Sequence, residues 1–282
     1  MVASEDRGTR FATIYIEKNP GGYLRVTRRE MIELGVVALE GVFLSACGQF
    51  NTPTSDLQPL LAPHLLARAG VPPKSVATVG YSAPYSRGSQ DSLLYVPTTY
   101  NPLAPAPLLL MLAAEGRSAA SGLNLFQPYA DAAGLIILGI EPAGPTWDWL
   151  LGSEQYGPDV VFISNALAAT FNECNVNPAR VSIGGFSDGA SYALTVGRTN
   201  GTLFSKVMAF SPTAVLPDEA AGKPSVFLSK GSNDPTTIFT FQGTMYSDAL
   251  RAGGYAVESV VFDGGHELPP DVVQQAAAWL LH

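Results

Sequence analysis

From about Ser75 the apolar residues follow two alternating rhythms. Short continuous apolar runs, "PLLLMLA" (107–113) and "LIILGI" (135–140), have the length and composition of strands buried on both faces. "SVATVGY" (75–81), "SLLYVP" (92–97), "RVSIGG" (180–185), "KVMAF" (206–210), "SVFLSK" (225–230) and "AVESVVF" (256–262) are also β-rich and bounded by turn residues. Between them the period lengthens to that of a helix. It does so through "GLNLFQPYADAAG" (122–134), Asp159 to Cys174, the alanine-containing stretch after Ser187, Met245 to Ala252, and from about Pro270 onward. Strands alternating with helices predict an α/β domain over 75–282, a mainly parallel sheet with helices on both faces.

The first seventy residues read differently. Residues 31–47, "MIELGVVALEGVFLSAC", are apolar, follow Arg28 and Arg29, and are broken by Glu33 and Glu40. The run is too short and too interrupted for a convincing membrane span. A basic pair before a short apolar run fits an export signal over 1–47. Leu44-Ser45-Ala46-Cys47 resembles a bacterial lipobox, which implies lipidation of Cys47, and Thr27-Arg28-Arg29 resembles a twin-arginine signal. The other reading is an amphipathic helix with both glutamates on one face. Residues 48–74, with several prolines, are expected to be a tether. An exported protein, secreted or lipid-anchored in the cell envelope, follows from the first reading.

Composition narrows the chemistry. At 46% hydrophobic and 14% charged residues the chain can bury a sizeable core, and a net charge of −8 argues against a nucleic-acid partner. Two cysteines, Cys47 and Cys174, and three histidines, His64, His266 and His282, show no zinc-ligand spacing, so neither metal nor cofactor is expected. Cys174 reads as a small apolar residue near a helix end, with a Cys47–Cys174 disulfide left open.

The run "SIGGFSDGASYAL" (182–194) holds Gly185-Phe186-Ser187-Asp188-Gly189, a Gly-x-Ser-x-Gly between a predicted strand and a predicted helix. With 28 glycines in the chain a chance match is plausible, so partners must decide. A serine hydroxyl needs a base to take its proton and a third group to orient that base. His64 lies in the expected tether and His282 is the last residue, which leaves His266 in "FDGGHELPP". The acid is expected between serine and histidine in chain order, where Asp234 of "SKGSNDPTT" follows a strand. Asp234 before Pro235 also suits a helix cap, and Asp263 is a second candidate acid.

These pieces, with "LLYVPTTY", "TWDW", "NPARVSIGGFSDGASYAL" and "KGSNDP", resemble the α/β-hydrolase superfamily over most of the domain, in the right order. The nearest group is the phospholipase/carboxylesterase and dienelactone-hydrolase-like one. The chain is also similar to polyhydroxybutyrate depolymerases and feruloyl esterases. The resemblance implies a serine esterase acting through an acyl-enzyme, with Ser187, Asp234 and His266 as its triad. It further implies an oxyanion hole of backbone N–H groups from Asp188 and from Ala114 or Glu115. Two departures stand out: Ala113-Ala114 replaces a usual His-Gly, and "EPAGPTWDW" lacks a Ser-Arg-Gly before its Thr-Trp-Asp. The first motivates an alternative, a weakened hydrolase fold that binds an ester or glycan. Trp147, Trp149 and Tyr156 either line a substrate pocket or cover the core. The substrate expected is a small or accessible ester, free or polymeric.

Overall fold

The computed structural model describes residues 14–17, 23–26, 63–70, 73–88, 90–151, 156–214, 216, 219–236, 240–241 and 244–282. The leader read at 1–47, with Cys47, lies outside the described residues apart from 14–17 and 23–26. The chain forms two compact units, Met1–Ser55 and Asp56–His282. In the first, β1 (Ile14–Glu17) and β2 (Tyr23–Val26) pair antiparallel.

The described part of the second unit opens with an extended segment, 63–70, followed by β3 (Gly80–Ser82), β4 (Ser86–Arg87), β5 (Gln90–Val96) and β6 (Ala106–Leu112). Then come α1 (Ala119–Ala133), β7 (Ile136–Ile140), a 3₁₀ turn at Asp148–Leu151, α2 (Pro158–Glu173), β8 (Val176–Phe186) and α3 (Asp188–Thr199). The chain continues through β9 (Lys206–Phe210), β10 (Ser225–Gly231), a short pair β11 (Thr240–Phe241) and β12 (Thr244–Met245), α4 (Tyr246–Ala252), β13 (Val257–Phe262) and α5 (Pro270–Leu281).

Among the described residues the main sheet has nine strands in the order β13-β10-β9-β8-β6-β7-β5-β3, with β4 on β5. All neighbours from β13 to β7 are parallel; β5 runs against them and pairs antiparallel with β7, β3 and β4. Both faces are covered, which is why the central strands read as unbroken apolar runs. Leu108, Leu110 and Leu112 of β6 enter one core with α2, α3 and α4. Leu109 and Met111 enter the other with α1 and α5. From β6 the chain steps to β7 on one side and returns to β8 on the other. That reversal leaves a crevice at the carboxyl ends of β6 and β8, where open α/β sheets hold their ligands.

The chain departs from expectation at its edges. The strand expected at 75–81 is reduced to β3, because the N–H groups of Lys74, Ser75 and Ala77 are spent on the carbonyls of Asn172 and Glu173 where α2 ends. Part of the expected tether is also no tether. Leu65 and Ala67 are buried in the domain core, while Leu66 between them is exposed. The Leu65 N–H donates to Asn200 Oδ1 at 2.9 Å, and Asn200 Nδ2 donates to the Pro63 carbonyl at 2.7 Å. Alternation over so short a stretch is easily lost among prolines. Cys174 is a buried free thiol at the end of α2, its pKa pushed up to about 12 by burial beside Glu173.

Candidate active site

Ser187 sits where β8 turns into α3. Its backbone is at φ 57°, ψ −123°, a conformation a residue with a Cβ adopts only at a cost of about 1–3 kcal/mol. The turn is held by the Ser187 N–H, which donates to the Phe210 carbonyl at 2.9 Å. Two glycines make the geometry possible. A Cβ on Gly185 would collide with the Gly189 carbonyl group, and one on Gly189 with the Leu112 and Ala113 carbonyls. The first turn of α3 therefore lies directly against the end of β6, and both glycines of the pentapeptide are required by close approach.

The three residues singled out for proton transfer meet at this turn. His266 Nε2 is 2.8 Å from Ser187 Oγ, and His266 Nδ1 is 2.8 Å from Asp234 Oδ2. Asp234 Oδ1 accepts from the Thr236 N–H at 2.9 Å and the Thr236 hydroxyl at 2.7 Å. Burial pushes the Asp234 carboxyl up, but the hydrogen bonds from Thr236 and His266 outweigh it and bring its pKa to about 2. An ionised carboxylate only accepts, so Nδ1 of the neutral ring carries the proton and Nε2 offers its lone pair to the serine O–H. Thr236 Oγ1 is also 2.8 Å from Nδ1, bracing the ring from a second side. Asp263 lies near Ser232 and Asn233 instead. The cap reading of Asp234 survives only as its bond to the Thr236 N–H in a bend.

Beside the serine, the loop after β6 is clamped at both ends. The Ala113 N–H donates to the Ile140 carbonyl at 2.9 Å, and the Gly116 N–H to the Pro145 carbonyl at 3.0 Å. The Trp147 indole N–H donates to the Ala113 carbonyl at 3.0 Å. Among the described residues no acceptor is recorded for the N–H groups of Ala114 and Glu115. The Asp188 N–H opens α3, where the first N–H groups have no partner within the helix. The Asp188 carboxylate accepts from the Thr146 hydroxyl at 2.8 Å and the Thr213 hydroxyl at 2.6 Å, joining the loops on either side. Among the described residues no cluster of His, Cys, Asp and Glu is placed to hold a metal ion.

The Phospholipase/Carboxylesterase family model matches residues 161–281. No curated protein sequence matched the chain. Among solved structures, the esterase PE8 superposes with a TM-score of 0.55 at 22% identity, covering 72% of this chain and 98% of its own. Acetyl xylan esterase from Aspergillus awamori gives 0.55 at 14% identity, covering 68% and 94%. S-formylglutathione hydrolase from Staphylococcus aureus gives 0.53 at 13%, covering 76% and 100%. The chain has the α/β-hydrolase fold.

Within this fold the three aromatic residues read as either pocket lining or core cover pack against the core. Trp147 and Tyr156 are fully buried. Trp147 stacks on Tyr192 of α3 with ring centroids 4.8 Å apart, and Tyr156 meets Tyr192 edge-on at 5.8 Å. Trp149 is part-buried against the same core. An opening of about 210 Å³ next to Phe186, the residue before the serine, is lined by Ala114 of the expected oxyanion loop and by residues given no role from the sequence, among them Leu112, Leu125 and Leu268. Phe186 also packs its ring 5.0 Å from that of His266. Its place beside the serine and the Thr two residues after Asp234 were signals available in the sequence. What they touch depends on the fold.

Proposed function

We propose that this α/β-hydrolase is a serine carboxylic ester hydrolase working through an acyl-enzyme. One observation carries the proposal: Asp234, His266 and Ser187 form an unbroken relay at a strained strand-to-helix turn, with backbone donors beside it. As Ser187 Oγ bonds to the ester carbonyl carbon, His266 Nε2 takes the hydroxyl proton. The carbonyl oxygen becomes an oxyanion facing the N–H groups of Asp188 and of Ala114 or Glu115. The imidazolium, held by Asp234, passes its proton to the departing alcohol. Water then attacks the acyl-serine by the same route, giving acid and free serine.

The 210 Å³ opening favours short acyl groups. The family match over 161–281 and the esterases among the similar folds support the ester as substrate class. The test is turnover of p-nitrophenyl acetate and butyrate by the purified protein. Ser187→Ala is expected to lower kcat by at least about a thousandfold, and a fluorophosphonate probe to label Ser187 alone. Turnover kept by Ser187→Ala, or label elsewhere, overturns the assignment. A wild type that binds esters without turning them over is instead the weakened, ligand-binding protein.

A further inference from the structure

We infer that Trp147 is a positioning residue for the oxyanion site, acting through the Ala113–Ala114 peptide. The inference rests on the ester-hydrolase reading above. A trans peptide points its C=O and N–H in opposite directions, and no peptide among the described residues is cis. Holding the Ala113 carbonyl toward the indole therefore aims the Ala114 N–H the opposite way. Ala113 and Ala114 both line the opening next to Phe186. The neighbouring donors are spent elsewhere, Ala113 on Ile140 and Gly116 on Pro145. The indole bond thus fixes the rotation of the first of the two peptides after β6 whose N–H groups, those of Ala114 and Glu115, have no acceptor among the described residues.

Trp147 can hold that orientation because it is itself immobilised. Its ring is fully buried and stacked on Tyr192, whose hydroxyl donates to Asp148 Oδ1 at 2.8 Å. Asp148 Oδ2 accepts from Gly157 and Asp159 N–H groups at the start of α2. The chain from helix to helix to indole to peptide leaves the loop little freedom, in a stretch where alanines rather than side-chain donors stand.

The test separates the donor from the bulk. Trp147→3-benzothienylalanine keeps the ring's shape and removes the N–H; Trp147→4-fluorotryptophan keeps both. With the first, kcat on p-nitrophenyl butyrate is expected to fall about tenfold to a hundredfold, KM to stay within about twofold, and affinity for a boronic acid analogue to fall in step with kcat/KM. With the second, all three stay near wild type. A benzothienylalanine protein at wild-type kcat, or one whose loss falls on KM and thermal stability alone, overturns the inference. If Ser187→Ala is inactive while Trp147→3-benzothienylalanine is unaffected, only this inference fails. If Ser187→Ala remains active, the reading beneath it fails.

Discussion

Asp234 is a carboxylate whose side chain is fully enclosed, yet it remains charged. Its burial would raise the pKa, and only the donors from Thr236 and His266 reverse that, to about 2. Because this lies below the ordinary value for an unfolded aspartate, ionisation favours the folded chain. The contribution, about 2 kcal/mol, is complete above pH ~4 and is lost as the pH falls toward 2. Asp234→Asn replaces an acceptor with an amide that can present N–H groups to Nδ1, favouring the tautomer whose Nε2 cannot take the serine proton. The expected fall in kcat is roughly 10⁴-fold with the fold kept. The stability advantage of wild type over Asp234→Asn, followed by denaturant titration, should shrink by about 2 kcal/mol between pH 4 and pH 2. A kcat within tenfold of wild type, or a pH-independent difference, refutes the role. His266 was legible in sequence by elimination, and chain order put Asp234 forward but left Asp263 open; the fold brings Asp234 to the ring. Thr236 was not legible, because its contact with His266 needs the loops after β10 and β13 side by side.

At the scale of elements, the turn between β8 and α3 works because two neighbours crowd it. Leu112 of β6 is registered against Gly185, and Phe210 of β9 against Phe186, so the serine emerges where both adjacent strands end. The first turn of α3 then presses on the Leu112 and Ala113 carbonyls, with no room for a methyl at position 189. Gly189→Ala must therefore push α3 away from the strand end that also bears the proposed oxyanion loop. The expected outcome is a loss of roughly 3 kcal/mol or more in stability and of nearly all activity, read by thermal denaturation and ester turnover. A Gly189→Ala protein with wild-type Tm and kcat contradicts the close approach. The strands flanking this turn were legible because burial on both faces leaves continuous apolar runs. The outer elements were not, since at β3 and the 63–70 segment solvent covers one side and helix ends compete for the backbone. The strand order that brings β6 beside β8 has no local signature at all.

Across the domain, an acidic pair, Asp159 buried and Asp148 half-buried, ties the layers behind the site. Asp159, 1% exposed, accepts from the Ala143 N–H after β7 and from the Asp148 N–H, each at 2.9 Å, while Asp148 reaches α3 through Tyr192. The two aspartates stand eleven positions apart, and only the crossing of β7, α2 and α3 brings them together, so their pairing was not readable in the sequence. Burial first, and the neighbouring Asp148 charge second among the raising influences, lift the Asp159 carboxyl to about 6 against the opposing N–H donors. Here the sign is opposite to that of Asp234. A raised folded pKa means the folded chain holds the proton more tightly, so this contribution is complete below pH ~4 and is lost as the pH rises through about 6. By pH 7 the change amounts to about 3 kcal/mol. Asp159→Asn cannot ionise; it gives up one acceptor at every pH but carries none of this dependence. The stability of wild type relative to Asp159→Asn should therefore decline by about 2–3 kcal/mol between pH 4 and pH 7, measured by denaturant titration at each pH. A flat difference across that range would mean Asp159 titrates like an exposed carboxylate, which its enclosure between β7, α2 and the 3₁₀ turn does not allow.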